Sequence, residues 1–146
     1  MTHTLTESLT GESGAIRPAS NTESKLRFVL RTNATTSALG GLAMAVGPGA
    51  VDQLLGTGQP GWVRIVGLAL LPFAALVAWL STTDRRRLAL HTPGIVVGDV
   101  VWVVASVVTV LLGWYPSSGV IIVLAMAAGV DTFAVLQFVL LRRLSR

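Results

Sequence analysis

The chain has 146 residues, 52% of them hydrophobic and 12% charged, with a formal net charge of +4. A mean hydropathy of +0.70 argues against a soluble globular class, because successive apolar stretches of spanning length could not be buried by so little polar chain. With no cysteine, the sequence excludes disulfides, thiolate metal sites and cysteine nucleophiles; its basic residues stand at the ends of apolar stretches, so nucleic acid is not an expected partner.

Residues 1–24 are rich in Thr, Ser, Glu and Gly, with Pro18 and no helical apolar period. Such a segment cannot bury enough apolar area to offset ordering entropy, and a disordered cytoplasmic tail is expected. It lacks the basic-then-apolar order of a signal peptide, so the first span is expected to stay in the mature protein. Residues 25–146 are expected to form the membrane domain.

Four apolar stretches follow, at Phe28–Val46, Trp62–Leu80, Ile95–Trp114 and Gly119–Leu141. Each has about 19 to 23 residues, enough to cross a hydrocarbon core of about 30 Å as a helix. The predicted fold is all-α: a four-helix transmembrane bundle. Between the first two spans, residues 51–55 predict a short interfacial turn of helix. Pro48, Pro60, Pro93 and Pro116 are expected at span boundaries, and Pro72 inside the second span is expected to kink or loosen it.

Lys25, Arg27 and Arg31 open the first span, Arg85, Arg86 and Arg87 lie in the predicted loop between spans two and three, and Arg142, Arg143 and Arg146 follow span four. The other two connections carry none. An even number of spans puts all three clusters on one side, and the positive-inside rule makes that side the cytoplasm, with both termini there. Arg85, Arg86, Arg87, Arg142 and Arg143 are expected to contact lipid headgroups. Arg64 opens span two near the outer face, in reach of headgroups or Asp52. Trp62, Trp114 and Tyr115 fit the outer interface, and Trp79 lies near the inner one.

Intramembrane acids are the candidates for chemistry, since a charge at mid-bilayer costs about 2.5–3.5 kcal/mol on insertion scales. Asp131 falls near the middle of span four, and Asp99 lies closer to the basic end of span three. Asp99, Trp102, Ser106, Thr109 and Gly113 recur at steps of three and four, which puts them on one face of a helix otherwise built of Val, Leu and Ala. Asn33, Thr36, Ser37, Gly40, Gly41 and Met44 make a comparable stripe on span one. Both stripes are expected to face the bundle interior. Asp99 has two readings: a structural ion pair or helix-end hydrogen bond, or a ligand or proton site; Arg31 is the candidate ion-pair partner, or it snorkels to the headgroups, since it points roughly opposite to Asn33. Asp131 also has two: a neutral acid bonded to Asn33 or Ser106, or a titrating proton or cation site. Gly94 and Gly98 have helix-packing spacing.

No phosphate-binding glycine loop, HExxH, nucleophile elbow or haem-ligating His pair is present, and His3 and His91 lie outside the spans. No catalytic residue, metal or cofactor is therefore assigned. Taken together, RTNATTSALGGLAMAVGPGAVDQLLG, VRIVGLALLPFAALVAW, GDVVWVVASVVTVLLGW and the Arg-terminated last span resemble small four-span bacterial integral membrane proteins of the broad DoxX-like kind. The resemblance implies a small helical bundle in the bacterial cytoplasmic membrane. Three roles stand. One is an accessory or structural protein acting through helix or partner contacts, in the lipid bilayer, as a homo-oligomer or with a membrane-protein partner. The second is a proton- or cation-coupled transporter using Asp131 and Asp99, and the third an enzyme acting on a lipid or quinone. A water-filled cavity joining the two acids would favour transport, and a dry packed interior the accessory role.

Overall fold

A computed structural model describes residues 21–144, and these are all-helical: α1 Asn21–Val46, α2 Pro48–Leu55, α3 Pro60–Leu80, α4 Arg85–Leu111 and α5 Ser117–Leu144. Residues 1–20 of the expected tail lie outside the described residues, while 21–24 open α1. Helices α3, α4 and α5 are long and apolar enough to cross a membrane; α1 joins them when counted together with α2, from which it is bent by 103°. What sets α1 apart is its polar middle. Thr32, Thr35 and Thr36 return their hydroxyls to the carbonyls of Phe28, Arg31 and Thr32, at 3.0, 2.9 and 3.0 Å. Back-bonding of this kind leaves no hydroxyl proton unsatisfied inside an apolar environment.

The surface argues for a membrane as strongly as the lengths do. Leu111, Val46 and Ile121 are each more than two-thirds exposed, and Trp62, Trp79 and Trp114 at least half. Apolar exposure on this scale is sustained by lipid and not by water.

The helices run in the order α3–α1–α5–α4 around the bundle, with long interfaces between α1 and α3 and between α4 and α5. Between α3 and α4 the ring scarcely closes, although only residues 81–84 join them. The core sits at the basic end, where Leu26, Leu30, Val77, Leu80, Leu88 and Leu144 pack together. Two arginines stitch that end. Arg27 Nη1 donates to the Ser81 carbonyl at 2.8 Å and Arg85 Nη2 to the Leu144 carbonyl at 3.1 Å. Arg27 also pairs with Glu23 at 2.8 Å.

The α1–α3 crossing depends on missing side chains. A Cβ on Gly67 would lie 2.6 Å from the Met44 Cβ and 2.7 Å from both the Ala45 nitrogen and the Gly41 oxygen. Backbone therefore meets backbone, the close approach that small residues permit in membrane helices. At the opposite end α2 covers the bundle, and Gly56 closes it in a left-handed conformation, φ 70°. Asp52 Oδ1 there accepts from the Thr57 hydroxyl and, at 3.2 Å, from the Gln59 N–H. It makes no ion pair with Arg64.

Several expected boundaries move. The short helix is longer than residues 51–55, and α4 begins ten residues before Ile95. The cause is Asp84, whose side chain accepts from the Arg87 N–H at 2.9 Å and caps the helix. Arg85, Arg86 and Arg87 are thus the first turn of α4, not a loop. Pro93, expected at a boundary, lies inside α4, and Pro72 lies inside α3; both helices run through their prolines as single elements.

Candidate functional site

One polar layer crosses the bundle. Asp99 Oδ2 on α4 accepts from Asn33 Nδ2 on α1 at 2.9 Å and from Gln137 Nε2 on α5 at 3.1 Å. Asn33, Asp99 and Gln137 are 1%, 2% and 0% exposed. Helical spacing builds the layer: Asn33 follows Leu26 and Leu30 on the buried face of α1, and Asp99 follows Leu88, Thr92 and Ile95 on that of α4. Gln137 continues the seam of Gly119, Val123, Ala127 and Ala134 on α5. Ser37 Oγ donates to Asn33 Oδ1 at 3.2 Å, which orients the amide. The Gln137 carbonyl is buried without a hydrogen-bond partner.

Above this layer the gap between α3 and α4 widens into two adjoining apolar cavities. The larger, about 560 Å³, is lined by Thr36, Ser37, Phe73, Asp99 and Trp102 among others. The smaller, about 440 Å³, extends to the opposite end past Ser106 and Thr109 to Trp62, Trp114 and Tyr115. Trp102, Ala105 and Met126 line both, so the two form one cleft. At the basic end it stops at Phe73, whose ring leaves no room for a Cβ on Gly98, 2.9 Å away.

The stripe Asp99, Trp102, Ser106, Thr109 on α4 therefore lines a cleft. Ser106 and Thr109 return their protons to backbone carbonyls of α4, at 2.9 and 3.0 Å, and present oxygen to it. The ion pair expected between Asp99 and Arg31 is not formed. Arg31 is exposed and its guanidinium makes no ion pair or hydrogen bond among the described residues, so the burial of Asp99 is offset by two amides instead. Asp131 is exposed, although it stands four residues after Ala127 and three before Ala134 of the buried seam, and it bonds to neither Asn33 nor Ser106. No cavity described here contains both acids. Gly94 meets nothing within 4 Å and takes no part in helix packing.

Of the arginines expected at headgroups, Arg85 reaches the end of α5, Arg87 lies 3.4 Å from Asp84, and Arg142 stacks over Phe138 at 4.8 Å. Arg86 and Arg143 share the same end of the bundle. Among the described residues no group of His, Cys, Asp and Glu could hold a metal ion. No protein-family model, curated protein or solved structure matches the chain.

Proposed function

We propose that this is a four-span accessory protein of a bacterial cytoplasmic membrane, termini inside, that receives an apolar guest from the bilayer in the cleft between α3 and α4. One observation carries the reading: the ring of helices stays open on that side, along an apolar cleft of ligand size. Cavities of about 440 and 560 Å³ fall in the range of roughly 300–1,000 Å³ typical of small-molecule sites. The interior is neither fully packed nor a water-lined path between two acids. The lining supports binding: it is apolar apart from one carboxyl, Asp99, and a few hydroxyls. Asp131, the second acid of the transport reading, is exposed on α5 and lines neither cavity.

The test uses a protein whose single tryptophan is Trp102, made by Trp62→Phe, Trp79→Phe and Trp114→Phe, in vesicles containing phospholipid brominated along its acyl chains. Strong quenching of Trp102 is expected. Emission indifferent to bromine would mean that the cleft is closed to the bilayer.

A further inference from the structure

We infer that the cleft is a binding site for a lipophilic primary amine, its ammonium held against Asp99 and its apolar body lying along Trp102. The inference rests on the cleft being open to a guest, and adds the guest's chemistry.

The first ground is the valence of Asp99. Both amides of the polar layer donate to Oδ2, which leaves Oδ1 without a protein partner among the described residues, on a side chain that lines the larger cavity. The second is the neighbouring hydroxyls in the same cavity. Thr36 gives its proton to the carbonyls of Thr32 and Asn33, and Ser37 gives its proton to Asn33 Oδ1. What remains for a guest at either residue is oxygen lone pairs. Asp99, Thr36 and Ser37 thus offer acceptors at one end of the cavity, and a primary ammonium carries three N–H donors and no acceptor.

The third ground is charge. The ion pairs of the described residues are Glu23–Arg27 and Asp84–Arg87, neither of which involves Asp99. A buried carboxyl usually has its cation inside the protein. Here Arg31 points away, and the open side of the carboxyl is a cavity with the aromatic side chains of Phe73 and Trp102 in its walls. Aromatic faces attract an ammonium and tolerate its hydrocarbon. A carboxylate guest finds only acceptors at Asp99, Thr36 and Ser37, and is excluded by the same arrangement.

The Trp102-only protein in phosphatidylcholine nanodiscs tests this, with dodecylamine, dodecyltrimethylammonium, dodecanol and dodecanoate as probes of equal chain length, read by Trp102 emission. Dodecylamine is expected to bind at least tenfold tighter than dodecanol. The trimethyl compound, which keeps charge but has no N–H, should fall between them, and dodecanoate should be weakest. Asp99→Asn should remove most of the amine preference and leave dodecanol unchanged. If that variant does not fold, the ranking on the unsubstituted Asp99 protein decides. Equal affinities, or a preference for dodecanoate, would overturn the assignment. Bromolipid quenching of Trp102 without amine preference would discard the amine and keep the cleft; absence of both would discard the cleft as well.

Discussion

Asn33 on α1 and Asp99 on α4 are joined by a 2.9 Å hydrogen bond, although those two helices share no extended backbone interface. The bond is a strut across the floor of the cleft. Gln137 anchors the same carboxyl to α5, so the layer ties three helices while α3 stands outside it.

Breaking the strut should loosen the bundle without unfolding it. Asn33→Leu is expected to cost about 1–2 kcal/mol, the upper range for an interhelical polar contact in membranes. Denaturant titration in mixed micelles measures it. A loss indistinguishable from zero would mean that the layer carries no stability.

The α1–α3 crossing makes a sharper demand. Gly67→Ala forces its methyl against the α1 backbone and should destabilise by about 1–3 kcal/mol, as overpacking does. Gly94→Ala meets open space and should change stability by no more than about 0.5 kcal/mol, unless helix propensity raises it. Similar losses at both glycines would contradict the packing described.

Asp131 should behave unlike Asp99. Its carboxyl lies on the exposed face of α5, so Asp131→Leu is expected to preserve or raise the stability of the bundle, removing an apolar-phase cost of about 2.5–3.5 kcal/mol at full depth. The same titration checks it, and a clear loss would show that this face is covered by a partner.

The cap of α4 gives a pH signature. Asp84 has its carboxyl held below the usual value of 3.8, chiefly by the backbone N–H of Arg87. A lowered folded-state value means that its stabilisation is complete above the unfolded value near 3.8 and is lost as pH falls through the lower folded one. Asp84→Ala should therefore lower Tm at neutral pH, and the difference should vanish in strong acid. A deficit independent of pH would show that the cap does not work through its charge.

Much of this was legible in the sequence, for reasons of period. Val, Leu and Ala runs of spanning length dictated helices, and the steps of three and four from Asp99 to Thr109 marked the face that lines the cleft. Gln137 carries no charge, so the insertion cost that singles out intramembrane acids passes over it. Its signal was present, since it stands three residues after Ala134, but Asp131 stands four after Ala127 and three before Ala134, so period alone does not separate the two. Arg31 had the right depth for Asp99 but the wrong azimuth. The start of α4 was set by the cap at Asp84, and hydropathy is blind to a cap. The opening between α3 and α4 is a tertiary fact that no local pattern carries.

In the proposed arrangement the cleft side of α4 faces lipid. Because the chain has no cysteine, a nitroxide can be placed at Ala105→Cys, which lines both cavities, with references at buried Ala74→Cys and exposed Ile121→Cys. Oxygen-collision rates in phosphatidylcholine vesicles measure exposure to the hydrocarbon directly. The rate at position 105 is expected to lie near that at 121. A label at 105 as shielded and immobile as the one at 74 would contradict it.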